Sequence, residues 1–151
     1  MVSTIPVCDG PRPAWLDRAV AAMVVAIAVP CTALLARATP DPRGYDTHVQ
    51  LGLPPCSWPR VYGIPCPTCG ATTAACHVVH GHLLAAVGAH PFGAAVAGGG
   101  LLLAAAALWC LLRSRSFLDL LRQLPLGRLA LGGVVLLLLS WLYKYSTFTP
   151  P

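Results

Sequence analysis

Residues Pro91–Leu112 read PFGAAVAGGGLLLAAAALWCLL, an apolar run without a charge that Arg113 and Arg115 close on its C-terminal side. A helix needs about 20 such residues to cross roughly 30 Å of hydrocarbon. The stretch is therefore expected to span a membrane, with Pro91 in the first turn, where a missing N–H costs nothing. Two more runs have the same form: Ala19–Ala36 between Arg18 and Arg37, and Leu129–Tyr143 between Arg128 and Lys144. The last is short, but its flanking cations can snorkel, and Trp141, Tyr143 and Tyr145 form an interfacial anchor that extends it to residue 146. At the end of the first span Ala36–Ala38 resembles a signal cleavage site, yet the apolar stretch before it exceeds the 7 to 15 residues usual for a signal core. Gly98, Gly99 and Gly100 are expected to let another span of the same chain approach closely.

The composition agrees. Of 151 residues 56% are hydrophobic and 10% charged, and mean hydropathy is +0.69. There is no glutamate and a single lysine, so solvent-facing helices laced with Glu–Lys pairs are excluded. The formal charge of +5 does not point to nucleic acid, because the arginines flank apolar runs rather than gathering with aromatics on a polar face. With three spans, Arg12, Arg18, Arg113, Arg115, Arg122 and Arg128 share one side. The positive-inside rule then puts the N-terminus in the cytoplasm of a cell with an inner membrane. The expected class is an all-α membrane protein, a single membrane domain over residues 1–151. Its N-terminal segment covers 1–18, its transmembrane helices 19–36, 91–112 and 129–146. A cysteine-rich loop (37–71), an interfacial or re-entrant helix (72–89) and a basic loop (113–128) connect them. Asp119 in that last loop is expected to pair with Arg115 and Arg122 on a surface turn.

The chemistry is concentrated in GIPCPTCGATTAACHVVHGH, Gly63–His82. Cys66 and Cys69 form half of a zinc ribbon, and no second C-x-x-C completes it. Cys56 can fold back across the turn-rich SWPRVYGIP, so Cys56, Cys66 and Cys69 are the candidate ligands and zinc the candidate metal. Pro65 and Pro67 preshape the knuckle. A fourth ligand has to come from elsewhere. Cys76 lies about 10 Å along a helix that Thr72 or Thr73 would cap, which leaves loop residues such as His48 or Asp46. Cys76 and His80 share a helix face, where packing of a buried thiol is the commoner use. His82 and His90 are expected at the interface, while Cys8, Cys31 and Cys110 serve as small apolar residues. The outward loop is also a place where disulfides persist, and Cys66–Cys69 at a helix N-terminus has the placement of a thiol–disulfide pair, with Cys66 attacking and Cys69 resolving. Metal, disulfide and redox pair all remain open from spacing alone.

Cys56, the run GIPCPTCGATTA and then HGHLLAAVGAHPFG before a span resemble the small bacterial membrane proteins grouped as domain of unknown function 2752. Cys56, Cys66, Pro67, Cys69, Gly70, Thr72, Gly81, Leu83, Ala86 and Pro91 fall on that pattern. Many members carry Arg where this chain has Thr73 and an acidic residue where it has His82. The resemblance implies a topology and a motif and assigns no activity. No carboxylate pair, nucleotide loop or Ser–His–Asp set accompanies the cysteines. The expected role is a non-enzymatic accessory or interaction module whose cysteines clasp its loop by metal or disulfide, with the lipid bilayer and another membrane protein as partners. A membrane thiol–disulfide oxidoreductase and a metal carrier or sensor are the alternatives.

Overall fold

A computed structural model describes residues 14–148. They form α1 (Ala14–Arg37), a 3₁₀ turn (Thr47–Leu51), α2 (Ser57–Tyr62), α3 (Ala71–Val79), α4 (Leu83–Ala89), α5 (Pro91–Arg113), α6 (Phe117–Arg122) and α7 (Leu126–Thr147), with no strand among the described residues. Three helices, α1, α5 and α7, are long and apolar enough to cross a membrane, with mean hydropathies of 2.4, 2.1 and 1.8. The all-helical membrane class expected from the sequence is the class found.

The helices outrun the charge-free segments. Because backbone hydrogen bonding rather than apolarity sets how far a helix runs, α1 is already helical at Ala14, the first described residue, and carries Asp17 and Arg18 ahead of its apolar run. Likewise α7 begins at Leu126, directly after Pro125.

Helix α5 is central and packs against α1 and α7, and α1 also meets α6. A small core lies at one end of the bundle, where Ala21, Ala107, Cys110 and Phe117 are buried among Val20, Val24 and Leu103. Elsewhere the three long helices turn large apolar side chains outward, including Ile27, Leu102 and Leu131. In water such a surface would be costly, and a hydrocarbon environment removes the cost. At the core end the Asp17 carboxylate accepts from Ser116 Oγ (3.0 Å), Phe117 N (3.2 Å) and Leu118 N (2.8 Å), which ties α1 to the start of α6. Asp119 pairs with Arg122 at 3.8 Å.

Two expectations are corrected here. Gly98, Gly99 and Gly100 receive no neighbouring helix among the described residues, since nothing there lies within 4 Å of a Cβ built at any of them. The close approach is at Gly93, where a Cβ would fall 2.7 Å from the Ala71 Cα, because the helix that must sit tightly on α5 is the short α3 rather than another span. The segment 72–89 is also two helices. The chain reverses at His80–His82, with Gly81 at a φ of 79° that an L side chain rarely adopts. The resulting α3–α4 hairpin lies against α5 and returns the chain to His90 at the head of that helix.

Candidate functional site: the cysteine knuckle

Proline carbonyls accept hydrogen bonds, and a proline nitrogen donates none. Pro65 and Pro67 therefore offer two acceptors on either side of Cys66, and the membrane helices supply both donors. Trp141 Nε1 of α7 donates to Pro65 O at 3.0 Å, and His90 Nε2 donates to Pro67 O at 3.1 Å. His90 Nδ1 in turn accepts from Gly93 N at 3.0 Å. With one ring nitrogen donating and the other accepting, the imidazole is the neutral Nε2–H tautomer. The placement at the interface expected for His90 is corrected: the ring is completely buried, and burial lowers its pKa.

Between the two prolines and α3 the backbone turns sharply, with Cys69 N donating to Cys66 O (3.0 Å) and Ala71 N to Thr68 O (2.9 Å). Gly70 then takes a φ of 96°, and a Cβ there would stand 2.6 Å from Gly44 O and 3.0 Å from Ala89 O. Only glycine satisfies both conditions. Gly70 also occupies the N-cap position expected for Thr72 or Thr73. The Thr73 hydroxyl instead meets Thr47 Oγ1 at 2.8 Å, and Thr47 Oγ1 accepts from Asp41 N at 3.0 Å, which joins α3 to the loop after α1.

Lysine 144 does not snorkel to water. Its side chain is 7% exposed and donates from Nζ to Gly44 O at 2.9 Å, 5.9 Å from the centre of the Tyr45 ring. Tyr143 donates to Gly88 O at 3.1 Å. The residues expected to anchor α7 at the interface thus anchor the knuckle and the α3–α4 hairpin to α7.

The thiols sit inside this frame. Cys56 leads into α2, its N–H pointing to Asp46 Oδ1 at 3.4 Å, and its Sγ lies 3.6 Å from Cys66 Sγ. Cys69 is 4% exposed, and burial first, then the neighbouring Cys66 and Cys56, push its pKa up to about 12. Burial also raises the Cys56 thiol. A cavity of about 280 Å³ is lined by all three cysteines together with Asp46, His48 and Thr68, so the loop residues expected to complete a ligand set do reach the same place. Among the described residues, however, no three His, Cys, Asp or Glu side chains stand where they would hold a metal ion. His48 Nε2 is engaged with Pro54 O at 3.0 Å.

The remaining cysteines stand apart. Cys76 is fully buried with its Sγ 3.4 Å from Leu35 O and 3.2 Å from Ala38 O, so its thiol packs against the end of α1 rather than facing the knuckle. Cys110 is buried in the α1–α5–α6 core, Cys31 is exposed on α1, and Cys8 lies outside the described residues. His90 and Trp141 are the site residues that spacing did not reveal. The available signal was the pair of proline carbonyls, which need donors and have none nearby in sequence.

The fold and site define a helical membrane protein with three spanning helices and a cysteine knuckle pinned to the N-terminal end of α5 and the C-terminal end of α7. Residues 56–111 match the family model described as protein of unknown function (DUF2752), which covers α2, the knuckle, the α3–α4 hairpin and nearly all of α5. No curated protein and no solved structure matches the chain.

Proposed function

We propose that the protein is a non-enzymatic accessory module of a bacterial inner membrane, with its N-terminus in the cytoplasm and its knuckle outside. There it presents a rigid cap to another membrane protein, and a Cys56–Cys66 disulfide locks the cap. The observation that carries this proposal is the 3.6 Å contact between the two sulfur atoms. Closure removes two protons and two electrons, which a disulfide-bearing oxidant of that compartment accepts as it becomes a dithiol. The loop closed by this bond holds the turn-rich SWPRVYGIP, whose freedom in the unfolded chain the bond would restrict. Against the oxidoreductase alternative stands the partner of Cys66, whose sulfur already meets Cys56 Sγ at 3.6 Å.

A metal clasp is the second reading, favoured by the cavity that Asp46, His48, Cys56, Cys66 and Cys69 share. The sulfur separation of 3.6 Å is also close to the roughly 3.8 Å that two thiolates on one tetrahedral zinc require. Both readings meet in one experiment: peptide mapping without reductant, thiol counting before and after denaturation, and elemental analysis on the same detergent-purified sample. A linked Cys56–Cys66 peptide, with Cys69 labelling only after denaturation, is the expected result. One zinc per chain that disappears in Cys56→Ser would replace the disulfide by the metal clasp. A Cys66–Cys69 linkage would overturn both in favour of exchange chemistry.

A further inference from the structure

At the end of α3 the chain makes a turn whose usual contents are missing. Gly81 N donates to Val78 O at 3.0 Å and His82 N to His77 O at 2.9 Å. These are the paired bonds of a Schellman motif, with Gly81 in the left-handed position. That motif brings the side chains at its two ends together, most often as an apolar contact. Here those positions are His77 and His82, their ring centres 6.0 Å apart, and His80 between them lies 6.4 Å from His82. An apolar clasp has been replaced by three imidazoles.

We infer that His77, His80 and His82 bind one divalent transition-metal ion of the zinc class. Three features of the turn support the assignment. His80 Nδ1 lies 2.8 Å from the Cys76 carbonyl oxygen, which only accepts, so Nδ1 holds the proton and Nε2 keeps its lone pair. This is how metal-ligating imidazoles are commonly oriented. His77 Nδ1 is closed off from solvent and has no hydrogen-bond partner, a burial cost that coordination within the turn offsets. The backbone bonds of the motif hold the three Cα positions, His80 is exposed with its ring oriented by the Cys76 carbonyl, and His82 is exposed beside it.

The size of the required motion is small. Imidazoles bound to one metal at about 2.0–2.1 Å place their ring centres roughly 5 Å apart. As placed, the three rings stand too far apart to hold an ion, like every other such group among the described residues; the His77–His82 and His80–His82 separations of 6.0 and 6.4 Å each have to close by about 1 Å, and His77 and His80 have to converge with them, through side-chain torsions. Cys76 is fully buried with its thiol nearest Ala38 O and Leu35 O, and its 3.7 Å contact with His80 is to Nδ1, the nitrogen turned away from a metal, so it is left out of the ligand set. A nitrogen-only site of this kind suits zinc, copper or nickel rather than magnesium or calcium.

The test is zinc titration of the full chain in detergent, purified without a polyhistidine tag and carrying Cys56→Ser, Cys66→Ser and Cys69→Ser so that the knuckle contributes no binding. Wild-type protein with its accessible thiols alkylated takes the place of this variant if its helicity shows that it does not fold. One zinc per chain is expected. His80→Gln and His82→Gln, both at exposed positions, should each weaken it by more than the about 10–100-fold that loss of a merely orienting residue costs, and His77→Gln should do the same. Absence of zinc binding in the cysteine-blocked protein, or binding that His80→Gln and His82→Gln leave unchanged, overturns the site. Neither result bears on the Cys56–Cys66 bond, which peptide mapping reads separately.

Discussion

Gly70 and His90 hold the knuckle in place by different physics. At Gly70 any side chain meets both a left-handed backbone and the Gly44 carbonyl at 2.6 Å. Gly70→Ala should therefore cost at least about 2 kcal/mol, read as a lower unfolding temperature of the helical signal in detergent. At His90 the constraint is electrostatic. Its neutral ring donates to Pro67 O and accepts from Gly93 N, and burial depresses its pKa in the folded state. The unfolded chain, with an ordinary histidine near 6.5, then binds more protons as the pH falls below about 6.5. Stability is fully present above that pH. It declines on acidification, by at most about 1.4 kcal/mol per pH unit, until the folded-state pKa is reached. Melting measured between pH 7.5 and 5 should show this slope in the wild type and a flatter one in His90→Gln; equal slopes would remove His90 from the acid response.

At the scale of elements, short helices are attached to long ones by single polar contacts and single glycines. The Ala71–Gly93 approach lets α3 lie on α5, and an alanine at 93 would have to displace backbone. Gly93→Ala is expected to cost about 1–3 kcal/mol and to loosen the hairpin, visible as faster amide exchange in α3 than in α1. The opposite end of the bundle depends on Asp17, which satisfies two N–H groups and a hydroxyl at the start of α6. Asp17→Ala should destabilise the protein by about 1–3 kcal/mol while leaving thiol reactivity at the knuckle unchanged. A change in Cys66 labelling in that variant would show that the two ends are coupled. Ser140 links α7 to α5 by accepting from Phe92 N at 2.9 Å, a free N–H at a helix start that the membrane interior could not otherwise satisfy.

For the whole molecule the question is which face of the membrane carries which end. Three spanning helices place Ala14 and Thr147, the outer ends of α1 and α7, on opposite faces, and in the orientation proposed above the Ala14 end is the cytoplasmic one. A membrane-impermeant maleimide applied to intact cells should then label Cys66 after reduction, whereas Cys69 stays protected until the protein is unfolded. Labelling of Cys66 only in inverted vesicles would reverse the orientation. It would also place the knuckle in a reducing compartment, where a lasting disulfide is not expected.

The three apolar spans and the tight turn at the cysteines were legible in the sequence, because hydrocarbon imposes a length and a composition that can be counted along a chain and because prolines and glycines restrict their own backbone. Asp46 and His48, named from sequence as loop residues that a fourth ligand would need, line the cysteine cavity, but cavity lining is not ligation. What only the tertiary structure decided is what each polar side chain does with its hydrogen bonds. His90, Trp141 and Lys144 look alike from sequence, as polar residues near the ends of membrane helices, and an interfacial position is the ordinary expectation for all three. Their partners are Pro67, Pro65 and Gly44. These carbonyls lie 23, 76 and 100 residues away along the chain. No local pattern carries such a pairing, because it arises only when packing of α3, α5 and α7 brings unsatisfied acceptors next to buried donors.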